Sequence, residues 1–225
     1  GKINEASFVS EDDLDYDDIN DDIFAVGRKF KIDLRDMDYL SWKRELLEDK
    51  ENLELLISVL KDIKPENDSK LIELKKLIRD KFTNPINKDN KKILIFTAFA
   101  ETAEYIYKNL AEEVKDKYGL DTGLVTGDVD GRSTIKGLTM DFNTILTLFA
   151  PKAKDKDLIY PDLDQEITIL IATDVISEGQ NLQDCDFVVN YDIHWNPVRI
   201  IQRFGRVDRI GSKNKYIQLV NFWPD

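Results

Sequence analysis

The stretch richest in groups able to do chemistry is Gln202-Arg203-Phe204-Gly205-Arg206-Val207-Asp208-Arg209-Ile210-Gly211. Asn196 and Pro197 just ahead of it form a helix start: an Asn side chain caps free backbone N–H groups, and Pro fits the first helical position. Gly211 can end the helix with a positive φ. On such a helix Gln202, Arg206 and Arg209, four and three residues apart, share one face. Two guanidiniums and an amide there make a receptor suited to phosphate oxygens, and Gly205 leaves the adjoining backbone open to close approach. Spacing alone fits a second description equally well, a surface helix paired with acids, which number 44 Asp and Glu against 32 Lys and Arg.

The elements that must position these residues are legible in the apolar pattern. Leu40, Leu46, Leu47, Leu53, Leu56, Ile57 and Leu60 recur at helical spacing from Tyr39 to about Ile63, and Lys64-Pro65 ends that helix. Leu71, Leu74, Leu77, Ile78 and Phe82 mark a second helix that stops near Asn84-Pro85, so the two are expected to form an antiparallel pair. Beyond it the pattern changes. Lys92–Ala98, Leu120–Thr126, Ile167–Ala172, Phe187–Tyr191 and Tyr216–Phe222 read as strands, the first covered on both faces and the third buried. Helices are expected over Glu101–Lys117, closed by Gly119, over Thr134–Phe149, stopped by Pro151, and over Val198 to about Val207, with a charged loop from Lys152 to Asp164. Strands alternating with helices imply parallel βαβ units. The expected organisation is an acidic, partly disordered segment over 1–38, a helical pair or connector over 39–88, and an α/β lobe over 89–225.

In open parallel sheets ligands sit outside the carboxyl ends of the strands. The residues at those points are largely polar: Thr97, Phe99 and Glu101 after the first strand, Thr173 to Leu182 after the third, and Asp192, Trp195 and Asn196 after the fourth. Two descriptions stay open for several of them. Asp174 is either a turn cap or a ligand-facing acid, and Thr97 either a strand former or a contact residue. Trp195 is read as a packing aromatic, and Cys185 and His194 as structural.

Composition narrows the function classes. The net charge of −12 argues against a simple nucleic-acid-binding domain. The charge is uneven, however: residues 1–22 hold nine acids against one base, while Arg199, Arg203, Arg206, Arg209, Lys213 and Lys215 face Asp208 alone over 199–215. An apolar fraction of 42 % suffices for a core. A single Cys185 and a single His194 give neither an internal disulfide nor a metal site. No apolar run is long enough to span a membrane, the first residues do not read as a secretory signal, and a cytoplasmic setting is expected.

The stretch from Gln202 to Gly211 resembles motif VI of superfamily-two helicases, Q-x-x-G-R-x-x-R-x-G, with every fixed position filled. IATDVISEGQNLQDCDFVVNYD resembles motif V with its following segment, and KILIFTAFAETAEYI resembles motif IV. The phrase NYDIHWNPVRIIQRFGRVDRIGS is most similar to bacterial Swi/Snf-like translocases. The resemblance covers residues 91–223 in the right order. It implies a RecA-like parallel sheet flanked by helices, the second lobe of a motor that holds ATP and Mg²⁺ in a cleft completed by a first lobe. Carried over by position, Arg206 and Arg209 are arginine fingers and Gln202 lies near the γ-phosphate. Asp174, Glu178 and Gly179, with Gly205, are the positions facing and coupling the nucleotide. Thr97, Thr173, Ser177 and Asn181 are the positions contacting nucleic acid, with double-stranded DNA the expected partner and RNA the other. The segment 132–164 is long for such a lobe.

The chain has no G-x-x-x-x-G-K-[ST]; Gly131-Arg132-Ser133-Thr134 is the nearest approach, and no D-E-x-[HD] run occurs. Without that Lys and the magnesium carboxylate, phosphates cannot be cradled, so this stretch alone is expected to be inactive. The alternative class is a non-catalytic nucleic-acid- or protein-binding module that keeps the RecA-like fold.

Overall fold

The computed structural model describes residues 25–26, 32–33, 38–61, 64–127, 129–176, 179–193 and 196–223. The acidic run over 11–22 lies outside them. The chain divides into two compact units, Gly1–Ile63 and Lys64–Asp225. The first contains the two-residue antiparallel strands β1 (Ala25–Val26) and β2 (Ile32–Asp33) and the helix α1 (Tyr39–Lys61). The Ser41 N–H donates to Asp38 Oδ1 at 3.2 Å at the start of α1.

In the second unit, α2 (Ser69–Thr83) opens on Asp68, whose carboxylate accepts from Leu71 N–H. The chain continues through β3 (Ile93–Phe96), α3 (Ala100–Tyr118), β4 (Asp121–Thr126), β5 (Val129–Ser133), α4 (Phe142–Phe149), the single turn α5 (Lys156–Ile159), β6 (Ile167–Ala172), β7 (Phe187–Asn190), α6 (Pro197–Phe204) and β8 (Gln218–Asn221). The six-stranded sheet runs β5-β4-β6-β3-β7-β8, parallel except for β5, which pairs antiparallel with β4. This is the mostly parallel, helix-flanked sheet expected from the alternating pattern.

The unbroken apolar runs of the central strands follow from covering both faces. In β3, Leu94 and Phe96 join Phe149, Leu148 and Val207 in one core, while Ile93 and Ile95 join Leu74, Ile78, Ile106 and Leu110 in the other. Each such side chain contributes about 1.5–3 kcal/mol by leaving water. Through Leu71, Leu74, Ile78 and Phe82, α2 is therefore part of the sheet's own core. Lys81 near its end forms a fully buried ion pair with Asp186 at 2.6 Å, and Asn87 donates to the other carboxylate oxygen at 2.7 Å. Two charges can be buried in this way only when paired and hydrogen-bonded.

One stretch departs from the periodicity. The helix expected over 134–149 is confined to α4, and β5 precedes it. Thr134 is spent on the sheet: its hydroxyl donates to Asp121 Oδ1 at 2.6 Å and accepts from Thr122 N–H at 3.0 Å. Gly137 then takes φ 84°, which ends any helix there. Asp141 starts the helix instead, accepting from Thr144 N–H at 2.7 Å. Gly131 is required by close packing, since a Cβ there would sit 2.2 Å from Ile145 Cδ1 and 2.9 Å from Met140 O.

Candidate functional site

Three backbone links fix the carboxyl edge of the sheet. Thr97 N–H donates to Ala172 O at 3.0 Å, Tyr191 N–H to Phe96 O at 2.8 Å, and Thr173 N–H to Val125 O at 3.2 Å. The chain therefore leaves β3, β6 and β7 side by side. Asp192 ties the edge laterally, accepting from Ala98 N–H at 3.2 Å and from Lys70 of α2 at 3.0 Å. Lys70 also lies 4.1 Å from the Tyr191 ring centroid, and burial pushes that phenol well above its ordinary pKa.

The helix after β7 starts as expected: Asn196 Oδ1 accepts from Val198 N–H at 3.0 Å, with Pro197 in the first turn. It ends earlier than expected. α6 stops at Phe204, Gly205 adopts φ −63°, and the chain proceeds through tight turns, among them Val207 N–H to Phe204 O at 2.9 Å. Gln202 alone of the three phosphate-receptor candidates lies on the helix, so the shared helical face is replaced by a different arrangement. Gly211 does take the expected positive φ, 93°, but closes the turn instead of the helix.

What gathers the arginines is the segment after β6. Leu182 N–H donates to Arg206 O at 2.9 Å, and Arg209 Nη2 donates to Gln180 O at 3.4 Å. Arg203 makes the strongest link. Its guanidinium forms two parallel bonds to Asp174, at 2.8 and 2.9 Å, and a third to Asn190 Oδ1 at 2.9 Å, and it stacks 5.0 Å from the Phe96 ring. Such forked pairing is directional as well as attractive. Arg206 is buried and Arg209 half-buried along the same segment. A further cation reaches this place from the long 132–164 segment: Lys154 donates to Gln180 Oε1, and burial followed by the Arg209 charge lowers its pKa.

The remaining candidates fall as follows. Asp174 is committed to Arg203. Gly179 is exposed with φ 94°, and Asn181 accepts from Gln183 N–H at 3.2 Å in a local turn. Thr173 is half-buried at the end of β6. Thr97 is fully buried and its hydroxyl donates to Phe99 O at 2.9 Å, so a phosphate contact would require that bond to open. Gly205 is exposed, and nothing crowds its Cβ position closer than 3.4 Å. Ser177, Glu178, His194 and Trp195 lie outside the described residues. Cys185 is buried, with its thiol pushed up to about 12 by burial. Among the described residues no cluster of three or more His, Cys, Asp or Glu could hold a metal, and no helix is long and apolar enough to cross a membrane.

Sequence reasoning counted Arg203 only within the basic balance. A signal was present, because Arg203 is spaced three and four residues from Ile200 and Val207 and so lies on the inward stripe, where a charge needs a partner. Lys154 carried no such signal.

Residues 69–211 match the family described as helicase conserved C-terminal domain. Over 48 residues the chain is 50 % identical to an uncharacterized ATP-dependent helicase, YqhH, of Bacillus subtilis, covering 21 % of this chain and 9 % of that protein. Over 149 residues it is 28 % identical to the ATP-dependent RNA helicase RhlB of Psychromonas ingrahamii, covering 66 % of this chain and 28 % of that protein. Among solved structures, the helicase domain of Pyrococcus furiosus Hef aligns with a TM-score of 0.44 at 26 % identity, over 79 % of this chain and 31 % of that one. The chain thus spans less than a third of the length of each.

Proposed function

The chain belongs to the helicase conserved C-terminal domain family, and from that premise we propose that it is the second motor lobe of an ATP-dependent translocase of the Swi/Snf-like type, acting on double-stranded DNA. The observation that carries the reading is the pinning of the segment after β6 to the turn after α6. Arg203 grips Asp174, the backbones join at Leu182 and Arg206, and Gln180 takes Arg209. The backbone of Arg206 and the guanidinium of Arg209 are thereby held before any ligand arrives, which serves charge stabilisation without reorganisation.

The donor set fits part of a nucleotide site. Arg206 and Arg209 supply N–H donors suited to phosphate oxygens, with Gln202 ahead of them on α6; the phosphate-cradling Lys and the metal carboxylates would come from the first lobe. Bound in the completed cleft, ATP with Mg²⁺ supplies the phosphoanhydride whose hydrolysis drives movement. Arg206 and Arg209 then offset the negative charge that grows on the transferring phosphoryl group. The segment from Thr173 to Asn181, anchored to the same turn, transmits the change to nucleic acid through Thr173, Ser177 and Asn181. Glu178 and Gly179 lie between the two duties. Duplex DNA over RNA rests on the likeness of the 190–212 phrase to Swi/Snf-like translocases.

The test is ATP turnover by the complete natural protein with duplex DNA, with RNA and with neither. The reading expects duplex DNA to stimulate turnover well above RNA. Stimulation by RNA alone would make the track RNA, and silence with both would leave a binding module.

A further inference from the structure

At the opposite, amino edge of the sheet a groove of about 850 Å³ runs between the α2–β3 connection, the turn after α4 and the chain leaving Gly211. Lysines from all three segments line it: Lys88, Lys91 and Lys92, then Lys152, then Lys213. The acids in its lining are Asp89, Glu166 and Asp184. Two of these are already engaged, Glu166 by Lys92 at 2.8 Å and Asp184 by the Lys152 backbone N–H at 2.6 Å. Lys88, Lys91, Lys152 and Lys213 are exposed and make no ion pair among the described residues. The lining therefore holds five lysines against three acids, a net positive concavity on a chain of net charge −12. That excess of positive charge attracts a polyanion.

The groove itself is firmly built. Asn90 donates to Asp184 O at 2.9 Å and to Asn214 Oδ1 at 2.8 Å, and Asn214 donates to Gln183 O at 2.9 Å and Cys185 O at 3.1 Å. The lysines thus stand on a cross-braced floor. No aromatic side chain lines the groove, whose only larger apolar groups are Leu120 and Pro151. It offers a base nothing to stack on, and lysine is a point charge without arginine's fork. Those properties suit a phosphate backbone gripped without reading sequence.

We propose that this amino-edge groove is a second nucleic-acid contact, in which Lys88, Lys91, Lys152 and Lys213 hold the sugar–phosphate backbone. The inference rests on the motor-lobe reading for the identity of the polyanion. With strands of four to six residues, the groove lies roughly 13–20 Å from the carboxyl edge at about 3.3 Å per residue. It therefore engages a stretch of nucleic acid separate from the one at Thr173, at the end of β6, and anchors the lobe on its track while the carboxyl edge works.

The test is binding of this chain to a labelled duplex oligonucleotide, followed by anisotropy between 50 and 200 mM salt. Replacing all four lysines, as Lys88→Gln, Lys91→Gln, Lys152→Gln and Lys213→Gln, should weaken binding at least tenfold at the lower salt. Each charge removed should reduce the salt slope by about 0.9. The four Lys→Arg changes should restore both. A parallel variant, Thr173→Ala, separates the two edges. Loss in that variant with full affinity in the lysine variant overturns the groove and leaves the motor reading standing. Unchanged affinity and slope in the lysine variant, no binding by the parent chain, or saturation of the groove by tripolyphosphate without duplex binding each overturn it as well. The motor reading is decided separately, by ATP turnover of the complete protein.

Discussion

Replacing Arg206 by Ala in the complete protein should lower nucleic-acid-stimulated ATP turnover by about 10³–10⁵-fold, with ATP binding largely retained. The size follows from what the guanidinium is held to do. Arg206 is buried in the turn after α6, and its backbone carbonyl is fixed by Leu182 N–H at 2.9 Å. That backbone link survives the substitution, so the turn should keep its course and the loss should fall on the charge-stabilising step. Arg206→Lys should recover little, because an ammonium keeps the charge but not the planar fork. The measurement is steady-state turnover beside a nucleotide-binding titration. Turnover within tenfold of the parent would remove Arg206 from the finger role and favour a binding module.

The second large effect is on stability and comes from the pair that sequence reasoning did not assign. Asp174→Ala should destabilise the lobe by about 3 kcal/mol, the low end for breaking a buried pair. The low end applies because the Asp174 side chain is 30 % exposed while that of Arg203 is 1 % exposed. Removing the acid strands a guanidinium that cannot reach water. A lobe of this size should then melt roughly 6–12 °C lower. Adding Arg203→Met to Asp174→Ala removes the stranded charge and fills its space, so the double variant should melt above the single one. Thermal unfolding of the parent, Asp174→Ala, Arg203→Met and the double variant completes the cycle. Additive losses would mean that the pair is not coupled and does not hold the segment after β6 to the turn after α6.

The fold was legible where burial is simple. The runs at β3, β6 and β7 are mostly apolar and fully buried because both faces are covered, and Gly119 closes α3 with φ 67° as its type suggests. The region from Gly127 to Met140 was not legible. Its strand is antiparallel and at the edge, it contains a glycine demanded by Ile145, and its threonine hydrogen bonds are tertiary. The site was legible as a set of residue types but not as an arrangement. Gln202, Arg206 and Arg209 fit helical spacing, yet the helix ends at Phe204, and the arginines are gathered by backbone and amide groups from residues 180–182. Contacts between segments some twenty-five residues apart leave no periodic trace. Arg203 shows this most clearly, for only its place on an inward stripe hinted that an acid must meet it.

The central claim is that these residues are half of a motor, with the fingers here and the phosphate cradle on the first lobe. The most direct measurement is ATP hydrolysis by this 225-residue chain and by the complete natural protein, each with and without duplex DNA. The half-motor account predicts turnover by the complete protein that rises with DNA, and none above background from this chain alone. Robust hydrolysis by this chain alone, abolished by a substitution within it, would contradict the account.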